Sequence, residues 1–162
     1  TIAKETEHVS IYLLIQNMRY HDSISFISDI PDELMEYQIP KLTLQPVVEN
    51  AVNHGIRNID WEGHIDLSVE RWNDHIEISV RDNGLGMTGE QIQRVLSKKV
   101  HSSSGEGDST GIGMNNVISR LELYYERDGL MEIYSEGEGM GTEVVINIPL
   151  ERSEKNVQNP DC

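Results

Sequence analysis

Residues 64–89 read HIDLSVERWNDHIEISVRDNGLGMTG. Ile65, Leu67 and Val69 alternate with polar neighbours, and so do Ile76, Ile78 and Val80, the mark of two strands with one face buried. Asn73-Asp74 between them supplies a turn, so the pair is predicted to be an antiparallel hairpin. That pairing decides how the next six residues are read. Gly84-Leu85-Gly86-Met87-Thr88-Gly89 matches the Gly-x-Gly-x-x-Gly of dinucleotide-binding folds letter for letter. The fingerprint works only in a parallel strand–helix–strand unit, with an acid about 20 residues further on. Here the strand belongs to a hairpin, and a short helix and a Ser-rich loop follow with no second apolar strand. The dinucleotide reading fails.

Outward from the hairpin, Ile11, Leu14, Ile15 and Met18 recur at helical spacing and predict an amphipathic helix over roughly residues 6–20. Ile24, Phe26 and Ile30 suggest a strand before Pro31. Leu44, Val47, Val48, Ala51 and Val52 predict a helix, with Pro46 tolerated in its first turn and Gly55 placed to end it. Met114, Val117, Ile118, Leu121 and Tyr125 share one face of a helix at about 113–126. Strands are expected near 130–135 and 142–148. Residues 97–110 (SKKVHSSSGEGDST) carry no periodicity, and a loop of that length is usually functional or mobile. Residues 151–162 read as a disordered tail, with Cys162 incidental. The sum is one α/β domain, an antiparallel-rich sheet with helices on one face.

Composition narrows the function. Of 162 residues, 28 are acidic and 13 basic, a formal charge of −15. Such a surface repels nucleic acid and anionic lipid. The lone Cys162 excludes an internal disulfide and a multi-thiolate zinc site. No apolar run approaches the roughly 20 residues of a membrane span. Thr1 opens the sequence with no signal-peptide pattern, and the chain is expected to be a soluble piece of something longer.

Eleven of the 13 glycines follow residue 83, concentrated between strands and helices. That is where backbone must approach a phosphate or a flat ring, although plain tight turns use glycine too. Asp82, before Asn83-Gly84, can accept a hydrogen bond from the exocyclic amine of adenine. Asn50, Asn53 and His54 project from one side of the helix at 44–54, while Glu49 is turned away by about 100°. An amide oxygen such as that of Asn50 suits Mg²⁺, which takes few protein oxygens and fills its shell with water and phosphate. Thr110-Gly111-Ile112-Gly113-Met114-Asn115 opens the last helix, whose free N–H groups favour anions. Lys98, Lys99 and His101 precede it.

These elements, in this order, resemble the catalytic ATP-binding domain of sensor histidine kinases, whose Bergerat fold is shared with gyrase, Hsp90 and MutL. Residues 44–55 (LQPVVENAVNHG) look like the family's N box, Asp82–Met87 its G1 box and Gly111–Met114 its G2 box, with Gly139-Met140-Gly141-Thr142 as a final glycine box. Residues 39–46 (IPKLTLQP) and 7–20 (EHVSIYLLIQNMRY) are similar to the LytS/YesM-like subfamily. The resemblance covers about residues 5–150 and implies a two-layer sandwich: a mixed, mostly antiparallel sheet with helices on one face.

It also implies that Asn50 coordinates Mg²⁺ and that Asp82 binds the adenine amine. Gly84, Gly86 and Thr142 would help line the adenine pocket, Gly111 and Gly113 the phosphates, and Met87 belongs to the nucleotide-binding set. Asn53, His54, Ile112 and Met114 complete the nucleotide-binding set, and residues 88–110 would be a mobile ATP lid. Asn53 stands where many members carry a basic residue. Pro46 stands where gyrase-type ATPases place a catalytic Glu, which favours phosphotransfer over hydrolysis. The acceptor histidine of the subfamily lies in an Asn-Pro-His-Phe segment, and none of the six histidines here has that context. The expected partners are ATP, an upstream dimerisation and phosphoacceptor domain, and a response regulator, in a homodimeric, membrane-anchored bacterial parent with this domain in the cytoplasm. An ATP-driven conformational clamp is the alternative, and a degenerate interaction module the non-enzymatic one.

Overall fold

A hairpin with one apolar face needs a second layer to cover it. In the computed structural model of the chain, which describes residues 1–20, 24–97 and 110–150, that layer is helical. Strands β2 (Gly63–Arg71) and β3 (His75–Asp82) pair antiparallel, with Leu67 opposite Val80 and Val69 opposite Ile78. The Trp72 N–H donates to the His75 carbonyl across the turn at 2.9 Å. On the far side of β3 lies β5 (Thr142–Pro149), antiparallel, with β4 (Met131–Tyr134) outside it. Strand β1 (Ile24–Asp29) joins the other edge parallel to β2, which completes the order β1-β2-β3-β5-β4. Among the described residues the strands after Gly89, β4 and β5, make only antiparallel pairs, in keeping with rejection of the dinucleotide fingerprint.

Ile65, Leu67, Val69, Ile76, Ile78, Val80, Val144, Ile146 and Ile148 are buried along one face of the sheet. His64, Asp66, Glu77 and Asn147 alternate with them and are half exposed. Helices α1 (Ile2–Tyr20), α3 (Leu44–Asn50) and α5 (Thr110–Tyr125) pack side by side with α3 in the middle. Short α2 (Asp32–Met35) adds buried Leu34. Helix α4 (Gly89–Leu96) starts at a reciprocal cap: the Gln91 N–H donates to Thr88 Oγ1 and the Thr88 N–H to Gln91 Oε1. It occupies part of the stretch read as a lid. Residues 98–109, with Lys98, Lys99 and His101, and the tail 151–162 with Cys162 lie outside the described residues.

Three expectations need correction. Gly55 does not end its helix: after Asn50 the backbone widens into a π-helical turn, Ala51–Ile56, with Gly55 inside it. Such turns recur at functional sites. Helix α1 buries the opposite face from the one expected. Ile2, Val9 and Leu13 go inward, and Ile11, Leu14, Ile15 and Met18 are 49%, 60%, 53% and 73% exposed. Apolar residues fill most of positions 9–15, so the spacing fits either side, and packing against α3 and β1 selects the one with Val9 and Leu13. Helix α5 begins at Thr110, earlier than expected, which places Gly111 and Gly113 within its opening turn. Its buried face of Met114, Val117, Ile118 and Leu121 is the one the sequence indicated.

Candidate nucleotide site

Asp82 is the last residue of β3 and sits directly opposite Thr142, the first of β5. Both side chains are nearly closed from water, at 7% and 6% exposed. Burial pushes the Asp82 carboxyl up to about 6, against the backbone N–H groups of Gly84 and Thr142, which favour the ionised form. The Gly84 N–H donates to Asp82 Oδ1 at 2.8 Å. Gly55 brings the π-helical turn against this carboxylate: a Cβ there would stand 2.8 Å from Oδ1. A Cβ on Gly84 would in turn lie 2.4 Å from the Gly55 carbonyl carbon. Only two glycines allow the helix and the strand end to meet this closely.

The two glycine-rich loops then lock together. The Leu85 N–H donates to the Gly55 carbonyl at 3.0 Å, Gly141 N–H to the Gly84 carbonyl at 3.0 Å, and Gly139 N–H to the Leu85 carbonyl at 2.6 Å. Ser135 Oγ ties the knot, accepting from the Met87 N–H at 3.0 Å and donating to the Gly141 carbonyl at 2.7 Å. Thus Asp82, Gly84, Gly86, Met87 and Thr142, scattered over 61 positions of chain, come together at one end of the sheet.

A cleft of about 230 Å³ lies between α3 with its π-helical turn and the start of α5. Pro46, Glu49, Asn50, Asn53, His54, Gly113 and Met114 line it. Asn50 Oδ1 is buried there without a hydrogen-bond partner. A buried amide oxygen left unpaired costs about 1–3 kcal/mol, so its position asks for a ligand. Mg²⁺ fits this donor: one neutral oxygen from the protein, the rest from phosphate and water. Among the described residues no three His, Cys, Asp or Glu side chains cluster for a metal held by protein alone. The start of α5 faces this cleft through Gly113, so its N-terminal dipole complements an anion there. Gly111 and Ile112 belong to the same opening turn.

Sequence reasoning left Glu49 ambiguous, about 100° from this set, and it too lines the cleft. Pro46, Glu49, Asn50 and Asn53 follow the i, i+3, i+4, i+7 spacing of one helical face, and the cleft is wide enough to include all four. A larger cavity of about 400 Å³ lies at the opposite end of the sheet, lined by Asp74, His75, Arg127 and Asn147 among others, and holds none of the expected residues.

Several residues that build the site gave no motif signal. Glu5, 5% exposed on α1, accepts the N–H groups of Leu42, Thr43 and Leu44 at 2.9, 2.9 and 3.1 Å and so caps α3 from another helix. Arg120 of α5 grips the same loop, donating to the Lys41 and Leu42 carbonyls at 2.6 and 2.9 Å. Asn83, read only as a turn residue, zips β3 to β2: its Oδ1 accepts the His64 N–H and its Nδ2 donates to the Glu62 carbonyl. A carboxylate on the face that carries Ile2 and Val9 was the one available clue to Glu5.

The architecture is that of the ATP-binding domains of histidine kinases. Solved structures with this fold include the catalytic domain of the histidine kinase ThkA, with a TM-score of 0.60 at 18% identity over 90% of this chain and 94% of that one. The mycobacterial sensor histidine kinase MprB gives 0.55 at 18% over 89% and 93%. Residues 40–152 match the family described as histidine kinase-, DNA gyrase B-, and HSP90-like ATPase, and the chain belongs to that family. Similar curated proteins include the sensor histidine kinase YesM of Bacillus subtilis, 36% identical over 92% of this chain, and the sensor histidine kinase YpdA of Escherichia coli, 33% identical over 94%. The sensor protein LytS of Oceanobacillus iheyensis is 31% identical over 88%. The chain spans about a quarter of the length of these relatives, 24%, 25% and 24% respectively. Among the described residues no helix is long and apolar enough to cross a membrane.

Proposed function

We propose that this chain is the ATP-binding catalytic domain of a sensor histidine kinase. Its role is to hold Mg–ATP and present the γ-phosphoryl to a histidine on an upstream dimerisation segment, for relay to a response regulator. The parent is a membrane-anchored homodimer with this domain in the cytoplasm. Two observations support the reading: a buried carboxylate, Asp82, among interlocked glycine loops, and an unpaired buried amide oxygen, Asn50 Oδ1, on the helix that lines the cleft at α5.

Asp82 accepts the exocyclic amine of adenine, and Thr142, Gly84, Gly86 and Met87 shape the wall around the ring. Gly111, Ile112, Gly113 and Met114 offer the opening turn of α5 to the phosphates. Asn50 holds Mg²⁺, with Asn53 and His54 beside it. The metal, when bound, neutralises phosphate charge in a chain that is itself at −15. Pro46 carries no group able to activate water. Phosphoryl transfer is mostly positioning and electrostatics, so the chain alone, without an acceptor imidazole in place, supplies half of the machinery. Isothermal calorimetry tests the reading: Mg–ADP binds one per chain, and labelled ATP leaves negligible acid-labile phosphate on the isolated 162 residues. Absence of adenine-nucleotide binding overturns it, and steady phosphate release at kinase-independent rates favours the clamp.

A further inference from the structure

Glu49 lines the cleft, next along the helix to Asn50. One of its oxygens, Oε1, accepts a hydrogen bond from Gln45 Nε2, one turn earlier on α3, at 2.8 Å. No cation pairs with it among the described residues, and it is the one carboxylate in the lining. Gln45 occupies only Oε1, and a carboxylate beside bound phosphates is best matched by a group that becomes positive during transfer, as the ring of an acceptor imidazole does. In the recurring triad pattern a carboxylate accepts one N–H of an imidazole and so fixes the ring's tautomer and orientation.

We propose that Glu49 is a catalytic residue that receives the incoming phosphoacceptor imidazole, and that Gln45 is the residue that positions it. The inference rests on the kinase reading above. Glu49 accepts the Nδ1–H of the acceptor ring, which fixes the tautomer with an unprotonated Nε2 toward the γ-phosphorus. The Nε2 lone pair forms the N–P bond while the bond from phosphorus to the β,γ-bridging oxygen breaks, its electron pair leaving on ADP. The ring becomes positive as this happens, and Glu49 balances that charge. The Nδ1 proton passes to water after ADP departs, which leaves neutral phosphohistidine. Gln45 keeps the carboxylate turned into the cleft, so the acceptor meets a preset partner and not a mobile side chain.

The test uses the full-length parent chain with its acceptor histidine, measuring autophosphorylation at varied Mg–ATP, with calorimetric Mg–ADP binding and steady-state phosphate release run alongside. Glu49→Gln and Glu49→Ala are expected to lower kcat about 100-fold or more while KM for ATP and affinity for Mg–ADP stay within about threefold. Gln45→Ala is expected to lower kcat about tenfold, and the double variant Gln45→Ala/Glu49→Gln to be no slower than Glu49→Gln alone, since Gln45 acts only through Glu49. Transfer at wild-type rate in the Glu49 variants overturns the assignment. So does a loss that falls on nucleotide affinity, which makes Glu49 a metal or phosphate neighbour, or an equal loss of phosphate release, which makes it an activator of water. A wild-type chain that yields no phosphohistidine overturns the kinase reading itself, and the role of Glu49 with it.

Discussion

Replacing Asp82 by Asn should make the free protein more stable and its nucleotide complex weaker. The Asp82 carboxyl titrates at about 6 in the fold against 3.8 for a free Asp, because it is buried. That difference is worth about 3 kcal/mol, at 1.36 kcal/mol per pH unit. The sign follows from the direction: a carboxyl raised in the folded state prefers to be neutral there. Its contribution to stability is greatest below 3.8 and is lost as pH rises through about 6. At neutral pH the wild type therefore carries a buried charge that Asn does not. Asn retains one oxygen for the Gly84 N–H but presents an amide where the Thr142 N–H also needs an acceptor, which takes back about 1 kcal/mol. A net gain of about 2 kcal/mol corresponds to a Tm rise of about 4–8 °C for a domain of this size. Scanning calorimetry of wild type and Asp82→Asn from pH 4 to 7.5 measures it. The gap should open between pH 4 and 6 and be largest at 7.5. In the same variant the charge-assisted bond to the adenine amine disappears, weakening Mg–ADP about tenfold to a hundredfold. A variant that melts at or below wild type at pH 7.5, or a gap that ignores pH, refutes the argument that burial sets this carboxyl.

Four further substitutions probe the cleft, the glycine contact and the helix cap separately. Asn50→Ala is expected to weaken nucleotide binding about tenfold in Mg²⁺ and little in EDTA, by calorimetry, because it removes the carboxamide that would hold the metal. Gly84→Ala puts a methyl 2.4–2.5 Å from the Gly55 backbone and should lower stability by about 1–3 kcal/mol with loss of binding. Gly89→Ala, whose methyl meets open space, should be neutral or slightly stabilising in the same thermal melt. Glu5→Gln keeps one acceptor of the Leu42, Thr43 and Leu44 N–H groups and loses the charge, which should lower urea stability by about 2–3 kcal/mol.

The local patterns were readable where one physical demand acts alone. The hairpin 65–80 shows because each strand has one buried face, and α5 shows because Met114, Val117, Ile118 and Leu121 all point one way. Helix α1 misled because residues 9–15 are apolar on two sides, and only the partner surface chooses between them. Gly55 looked like a helix stop, since a glycine in sequence does not say whether it frees a dihedral or clears space. Here it clears space for Asp82. Asp82, Asn50 and the glycine boxes were legible as motifs. Glu5, Arg120 and Ser135 were not, because each acts on the backbone of a segment distant in sequence, and backbone partners leave no trace in residue type. Glu49 stayed ambiguous because a narrow helical stripe leaves it out and a broad cleft takes it in.

The most direct measurement is a crystal structure of the chain with Mg²⁺ and a non-hydrolysable ATP analogue. The exocyclic amine of the base should lie within about 3 Å of an Asp82 oxygen, and the metal should bind Asn50 Oδ1 at about 2.1 Å. The β- and γ-phosphates should rest against the opening turn of α5. A base seated away from Asp82, for instance in the cavity beside Asp74 and Arg127, contradicts the account.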